Sequence, residues 1–250
     1  MKAIILAAGK GERMLPLTRD TPKPMLPING KPVLEYLVRL CKKHGVRDLA
    51  INTSYFPANI IESFQNGLEL GVNIRYSFEK TLLGTAGALN SFRNFFTEPF
   101  FVIYGDNITD LDLTKMTETH RKNNAQATLY LYREPMVDEE TGPGCVVISD
   151  TGKIEQIVEK PDEIERKRLT QIPANRRLFN AGVYFLQPEV LDLIPRKGHS
   201  DFAADILPRI VRQGRAYAFQ QDCYFKEIGQ IQRYEQAKQD IESGRISLNI

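Results

Sequence analysis

The sequence predicts an α/β protein: a mostly parallel central sheet with helices on both faces. Three observations carry this. Short apolar runs of strand length recur at residues 3–8, 49–52 and 100–104, where they read as buried parallel strands, and residues 72–78 alternate enough for a further strand; of the apolar runs, 3–8 comes first and 100–104 last. Segments of helical character separate them, the alternation that builds such a sheet. The first and last of these runs also end on glycine, at Gly9 and at Gly105-Asp106-Asn107, where strands in such sheets present their carboxyl ends to ligands.

Each element follows from its own pattern. After Pro32, residues Leu34, Leu37, Val38 and Cys41 recur at i, i+3, i+4 and i+7, the apolar stripe of a helix that Gly45 ends. Residues 49–52 form the second strand, 57–66 a helix closed by Asn66-Gly67, and 72–78 the third strand. A helix over 85–95 follows Gly84, and 100–104 is a fourth buried strand. From residue 125 the character changes. Residues 127–132, 146–149 and 154–159 read as strands with no long helix between them, and Asp150-Thr151-Gly152-Lys153 marks a turn. Residues 162–168 carry both charge signs and one apolar residue, Ile164, which gives a solvated helix or loop. Residues 179–186 form a strand, and 201–212 and 230–242 form helices. No repeat or linker separates independent domains. The expected layout is one domain over 1–250, with a first half 1–124, a second half 125–229 and a terminal helix 230–250.

Bulk properties narrow the function. A chain of 250 residues can bury a large core. A formal charge of +2 supplies no strong field for nucleic acid or a membrane surface. No apolar run approaches a membrane span, and residues 3–8 are too short for a signal-peptide core. The three cysteines, Cys41, Cys145 and Cys223, are odd in number and widely spaced. That argues against a disulfide framework or a metal cluster and for reduced thiols in the cytoplasm. His44, His120 and His199 fall at apparent helix ends or in loops and read as ordinary surface residues. No pattern fixes the oligomeric state, and a homo-oligomer stays open.

The richest stretch is the first 32 residues. The strand from Ala3 runs through Leu6, Ala7 and Ala8 into Gly9 and Gly11, so bare backbone N–H groups can approach a ligand. Arg13 and Lys23 add positive charge, and Pro22, Pro24 and Pro27 stiffen the chain around Lys23. The stretch reads as a polyphosphate cradle. It is not a Walker loop, because Lys10 is followed by Gly11 and Glu12. It is not the dinucleotide fingerprint either, because Met14 stands where a third small residue belongs. The Gly-x-Gly pair taken alone equally fits a plain strand-to-helix turn. Similar alternatives attend the other candidates: Asp106 can start a turn, Gly84 can simply open a helix, Glu159-Lys160-Pro161 can be an exposed turn, and Glu227 can cap the helix after it.

Residues 6–18 and 22–27, however, resemble position by position the signature of the sugar-nucleotide pyrophosphorylases, nucleotidyltransferases that act on sugar 1-phosphates. The resemblance extends over nearly the whole chain, through Gly84-Thr85-Ala86-Gly87-Ala88-Leu89, Gly105-Asp106, Glu159-Lys160-Pro161 and Asn180-Ala181-Gly182-Val183-Tyr184. It implies a Rossmann-like nucleotide-diphospho-sugar transferase fold with a smaller mixed β sugar-binding lobe and, as no hexapeptide repeat is present, no left-handed β-helix domain. It also implies a Mg²⁺-dependent reaction between a nucleoside triphosphate and a sugar 1-phosphate that gives a sugar nucleotide and pyrophosphate.

Residue by residue, the resemblance assigns Arg13 and Lys23 to catalysis. Leu6, Ala7, Ala8, Gly9, Gly11, Asn52, Gly84 and Thr85 go to the nucleotide, with the free N–H groups at the start of the 85–95 helix as donors to the base. Gly144, Glu159, Lys160 and Asn180 go to the sugar phosphate, and Asp106 and Glu227 to the metal. The segment Asp201-Phe202 to Pro208 matches a family pattern expected to serve packing. Departures occur at Phe225, Glu227 and Gln230, where the family carries Trp, Asp and Thr, and at Pro143, where it carries Tyr. Glu is one methylene longer than Asp, and Mg²⁺ demands near-ideal octahedral geometry, so Glu227 keeps open a sugar-nucleotide-binding protein of weak turnover. The short form resembles guanylyltransferases acting on mannose or heptose 1-phosphate. Thymidylyl or uridylyl transfer to glucose 1-phosphate is the alternative.

Overall fold

The computed structural model describes residues 1–133, 145–159, 161–244, 246 and 248. In chain order the strands and helices are β1 (Lys2–Leu6), β2 (Pro27–Ile28), β3 (Lys31–Pro32), α1 (Val33–Lys43), β4 (Asp48–Thr53), α2 (Pro57–Phe64), β5 (Asn73–Phe78), α3 (Gly84–Gly87), β6 (Phe100–Tyr104), β7 (Asn107–Thr109) and α4 (Leu113–Lys122). There follow β8 (Ala127–Tyr132), β9 (Cys145–Ile148), β10 (Ile154–Val158), α5 (Glu163–Thr170), β11 (Arg177–Leu186), α6 (Leu207–Arg212), β12 (Ala216–Phe219), β13 (Phe225–Glu227) and α7 (Ile231–Glu242).

Nine strands form one mixed sheet, and both predicted halves contribute to it. β6, β1, β4 and β5 lie side by side and parallel, with Leu6 opposite Asn52 on one side and Tyr104 on the other. β11 runs antiparallel to β6 and β8, and β8 pairs in parallel with β12. The β9–β10 hairpin joins at the first two residues of β11. Successive strands leave β1 in opposite directions, toward β4 and toward β6, which opens a crevice at the carboxyl end of β1. Alternate residues of each strand feed two cores. Ala3, Ile5, Leu49, Ile51, Phe101 and Ile103 meet Leu34, Leu37, Val38 and Cys41 of α1 and Met116 of α4. Ile4, Ala50 and Val102 meet Leu89, Phe92 and Phe96 on the other face, with Leu207 and Ile210 of α6.

The structure refines four expectations. The 85–95 helix is a single α-turn, α3, followed by a 3-10 turn over Ala88–Phe92. The 201–212 helix opens with a widened π-turn, in which the Leu207 N–H reaches the Phe202 carbonyl, before α6; Pro208 has no N–H to continue an α-helical ladder there. The charged segment 162–168 belongs to helix α5, opened by a reciprocal capping box between Asp162 and Glu165. His120 is not a surface residue: it is 1% exposed, between α4 and the sheet. Cys41, Cys145 and Cys223 are free thiols, as expected.

Candidate active site

The crevice beside β1 is built by close backbone approach. The Gly105 N–H donates to the Leu6 carbonyl at 2.9 Å. A Cβ at Gly105 would sit 2.6 Å from that same oxygen, so only glycine lets the ends of β1 and β6 converge here. From β1 the chain turns through Gly11, at φ +68, and Gly11's carbonyl accepts from the Thr18 hydroxyl at 2.8 Å and the Met14 N–H at 2.8 Å. The N–H groups of Gly9, Lys10 and Gly11 find no hydrogen-bond partner among the described residues, and the face of Gly9 is open. Such a turn is built to receive anionic oxygens. Lys23, fixed between Pro22 and Pro24 in a 3-10 turn, ion-pairs with Asp106 Oδ2.

Asp106 sits between β6 and β7. The Ile228 N–H donates to its carbonyl at 2.9 Å, and β13 pairs with β7 so that Glu227 stands opposite Asn107. The two carboxylates are thus brought to one place from chain positions far apart. Burial, reinforced by the negative charge of Asp106, raises the Glu227 pKa, while Lys23, Arg233 and Arg13 pull it down. Arg233 Nη1 lies 3.7 Å from Glu227 Oε2. Among the described residues no cluster of three or more His, Cys, Asp or Glu side chains could hold a metal. Two hard carboxylates with water and phosphate oxygens completing the shell are nonetheless the way Mg²⁺ is commonly held beside phosphates, so the residues present fit that ion.

Two cavities meet at this point and share Tyr104 and Asp106 as walls. The smaller, about 300 Å³, is lined among others by Gly9, Lys23, Asn52, Glu79, Gly84 and Thr85. Asn52 is 4% exposed and both ends of its amide are engaged: Oδ1 accepts from the Ala7 N–H at 2.9 Å and Nδ2 donates to Glu79 Oε1 at 2.8 Å. Glu79 Oε2 accepts from the Leu83 N–H at 2.9 Å. The larger cleft, about 680 Å³, brings Arg13, Glu159, Asn180 and Glu227 together with Gln230 and Arg233.

One expectation needs correction. The N–H groups at the start of α3 are not free donors. Those of Ala86 and Gly87 donate to the Ser200 carbonyl at 2.9 Å each, and that of Thr85 donates to Asp201 Oδ1 at 2.9 Å. Asp201 therefore clamps the helix start, as its predicted packing role required. Gly144 and Lys160 lie outside the described residues. Sequence reasoning missed Glu79, Tyr104 and Arg233. Glu79 directly follows the β5 run, and Tyr104 closes the β6 run just before Gly105-Asp106, so position marked both. Arg233 carried no signal beyond its place three residues into α7.

A sequence profile described as nucleotidyl transferase matches residues 2–244. Over 98% of its length the chain is 38% identical to the UTP–glucose-1-phosphate uridylyltransferase of Synechocystis, and it covers 64% of that protein. It is 34% identical to the mannose-1-phosphate guanyltransferase of Yarrowia lipolytica over 92% of this chain and 61% of that one. The chain thus spans less than two thirds of the length of these curated relatives. Among solved structures, a proposed glucose-1-phosphate thymidylyltransferase from Bacillus anthracis, in complex with a sucrose, superposes with a TM-score of 0.82 at 25% identity, covering 99% of this chain and 96% of that one. On the extent of the profile match together with this shared architecture, the chain belongs to the nucleotidyl transferase family.

Proposed function

We propose that this protein is a Mg²⁺-dependent nucleotidyltransferase that joins a nucleoside triphosphate to a sugar 1-phosphate, giving a sugar nucleotide and pyrophosphate. The observation that carries the reading is the meeting of Asp106, Glu227, Lys23 and Arg13 at the seam of two cavities. A phosphate oxygen of the sugar attacks the α-phosphorus, a bond to that oxygen forms, and the bond to the pyrophosphate oxygen breaks. The nucleophile is already ionised near neutral pH, so no general base is required. Two anions must meet in line, and catalysis consists of positioning and charge stabilisation.

In this reading the Gly9–Gly11 turn receives the triphosphate and Lys23 and Arg13 offset the charge of the reacting phosphates. Asp106 and Glu227 would hold Mg²⁺, which would supply neutralisation of phosphate charge. Glu159 and Asn180 face the sugar hydroxyls in the larger cleft, which also contains the aromatic rings of Tyr132, Phe179 and Phe225.

The smaller cavity speaks to the base. The Glu79 carboxyl oxygens keep lone pairs after accepting two internal hydrogen bonds. They favour a base edge that brings donors. Guanine brings two adjacent donors at N1 and N2; uracil and thymine bring one at N3, and adenine and cytosine bring one exocyclic amine beside a ring acceptor. GTP with mannose or heptose 1-phosphate is the first reading, and UTP or dTTP with glucose 1-phosphate the second, supported by the uridylyltransferase relative. Pyrophosphate release across these triphosphates and sugar phosphates, with ATP and CTP as controls, tests both. Turnover with a donor-edge base supports the assignment. Nucleotide binding without turnover of any pair would turn it toward a binding protein.

A further inference from the structure

The larger cleft has to admit the sugar's own phosphate, and its walls are acidic. Three carboxylates line it, Asp106, Glu159 and Glu227, against two cations among the described residues, Arg13 and Arg233. Lys23 lines the smaller cavity and is paired with Asp106. Lys160, which the family resemblance assigns to the sugar phosphate, lies outside the described residues. Like charges brought together at a binding surface oppose association, so a phosphate dianion entering this cleft has to be met by cations.

Arg233 stands where it can meet one. Its Nη1 lies 3.7 Å from Glu227 Oε2, an ion pair too long to be a hydrogen bond. The Glu227 side chain is 32% exposed, and a pair of that kind holds its members weakly. The backbone under Arg233 is firmly seated. Arg233 is the third residue of α7, whose first turn closes with the Tyr234 N–H donating to the Gln230 carbonyl at 3.0 Å. The Tyr234 hydroxyl donates to the Pro27 carbonyl at 2.6 Å, and Tyr234, Ala237 and Ile241 are buried with Ile28, Val33 and Tyr36. A side chain on a docked helix has less freedom to lose on binding than one on a loose segment. A guanidinium is planar and presents its N–H donors in a fork that matches two phosphate oxygens.

We propose that Arg233 binds the phosphate of the sugar 1-phosphate, exchanging its loose pairing with Glu227 for that phosphate. The proposal rests on the reading of the larger cleft as the sugar-phosphate site. The exchange does not leave Glu227 bare. Arg13 acts on the same carboxylate, and both Arg13 Nη2 and Glu227 Oε1 border the space above Gly229. Arg13, on the amino-terminal turn, thus serves the triphosphate side of the reaction and Arg233, on α7, the sugar side.

Calorimetry tests this. Mannose 1-phosphate and glucose 1-phosphate are titrated into the full chain and into Arg233→Gln, with Mg²⁺ and the α,β-methylene analogue of GTP or UTP held at saturation. For the sugar phosphate that the parent protein binds more tightly, Kd is expected to rise at least about tenfold in Arg233→Gln, the effect of losing a charge-assisted contact to phosphate. Arg233→Lys keeps the charge and loses the fork, and is expected to recover part of that loss. Because Arg233 does not line the smaller cavity, the Kd of the analogue alone is expected to change by less than about threefold. Mn²⁺ affinity, read from the electron paramagnetic resonance signal of the free ion, is expected to stay within the same range. A sugar-phosphate Kd in Arg233→Gln within about threefold of the parent value overturns the proposal. So does a variant whose Mn²⁺ affinity falls while its sugar-phosphate Kd at saturating metal holds, because Arg233 then only steadies Glu227. A parent protein that binds neither sugar phosphate and releases pyrophosphate with no pair removes the reading of the cleft, and the proposal with it. Turnover of a pair by the parent protein, with unchanged sugar-phosphate binding in Arg233→Gln, removes the proposal alone.

Discussion

At the scale of single residues the proposed chemistry rests on a small group of charges. Asp106 and Lys23 are each 14% exposed in their side chains and are paired with each other. Asp106→Ala and Lys23→Ala are expected to lower kcat by about 10²-fold or more, the usual cost of removing a preorganised electrostatic group. Both variants are expected to keep the folded far-ultraviolet spectrum. A rate within threefold of the parent protein for either variant would remove that residue from the mechanism. Gly229 gives a finer probe. A Cβ there would fall 1.9 Å from Glu227 Oε1 and 3.1 Å from Arg13 Nη2, because the longer Glu folds back over this glycine. Gly229→Ala therefore has to displace the carboxylate. The expected outcome is about a tenfold rise in the Mg²⁺ concentration for half-maximal rate, on the scale of a disturbed metal shell, with most of the rate recovered at saturating Mg²⁺. An unchanged Mg²⁺ requirement would show that Glu227 does not serve the ion. The Glu at this position was visible in the sequence, but the space its extra methylene occupies was not.

At the scale of elements, β1, β4 and β6 were legible because each is buried on both faces and so reads as a continuous apolar run, and β5, at the sheet's end, by its alternation. α1 was legible because its apolar stripe is complete. The turn at 202–206 and the one-turn α3 were not. Their form depends on Pro208 and on the Ser200–Asp201 segment taking up the α3 N–H groups, contacts that no local pattern encodes. His120 belongs to the same class. Its ring packs edge-on against Phe185 at 4.8 Å, with Nδ1 2.9 Å from Thr128 Oγ1 and Nε2 3.0 Å from Gln187 Nε2. The Gln187 amide donates, so Nε2 accepts and has no room for a proton of its own. Burial, then Arg121 and Arg215, lower the His120 pKa to about 4. The folded-state value lies below the unfolded one near 6.5. The neutral ring thus contributes stability in full above pH 6.5, and that contribution is lost as the pH falls toward 4. By pH 5 the loss amounts to about 2 kcal/mol. Unfolding free energies from urea titrations at pH 7 and pH 5 are expected to differ by that amount more in the parent protein than in His120→Gln. Equal differences would show that His120 does not anchor α4 against acid.

At the scale of the whole molecule, the site exists only because β1, β6, β11 and β13 converge on one crevice. Most of its residues were legible one by one, through the long match of residues 6–27 and the shorter ones near 84, 106, 159 and 180. The division of those residues between two cavities was not, since it follows from the strand order β4-β1-β6-β11. That order also places Glu79 in the smaller cavity and Glu159 in the larger, so in the proposed reading the two carboxylates face different ligands. A prediction for the intact chain follows. A ligand that binds only the native state raises its melting temperature according to its concentration over its Kd. With Mg²⁺ present, GTP, and next UTP or dTTP, are expected to raise Tm by several degrees at concentrations that saturate the site, an effect of about 2–3 kcal/mol at a hundredfold excess over Kd. ATP and CTP, which set a ring acceptor beside their single amino donor, are expected to raise it less than GTP. Glu79→Gln, which adds a donor in place of an acceptor, should shrink the difference between the two groups of triphosphates. Equal stabilisation by all five triphosphates in the parent protein would mean that only the phosphates are held, and that Glu79 does not read the base.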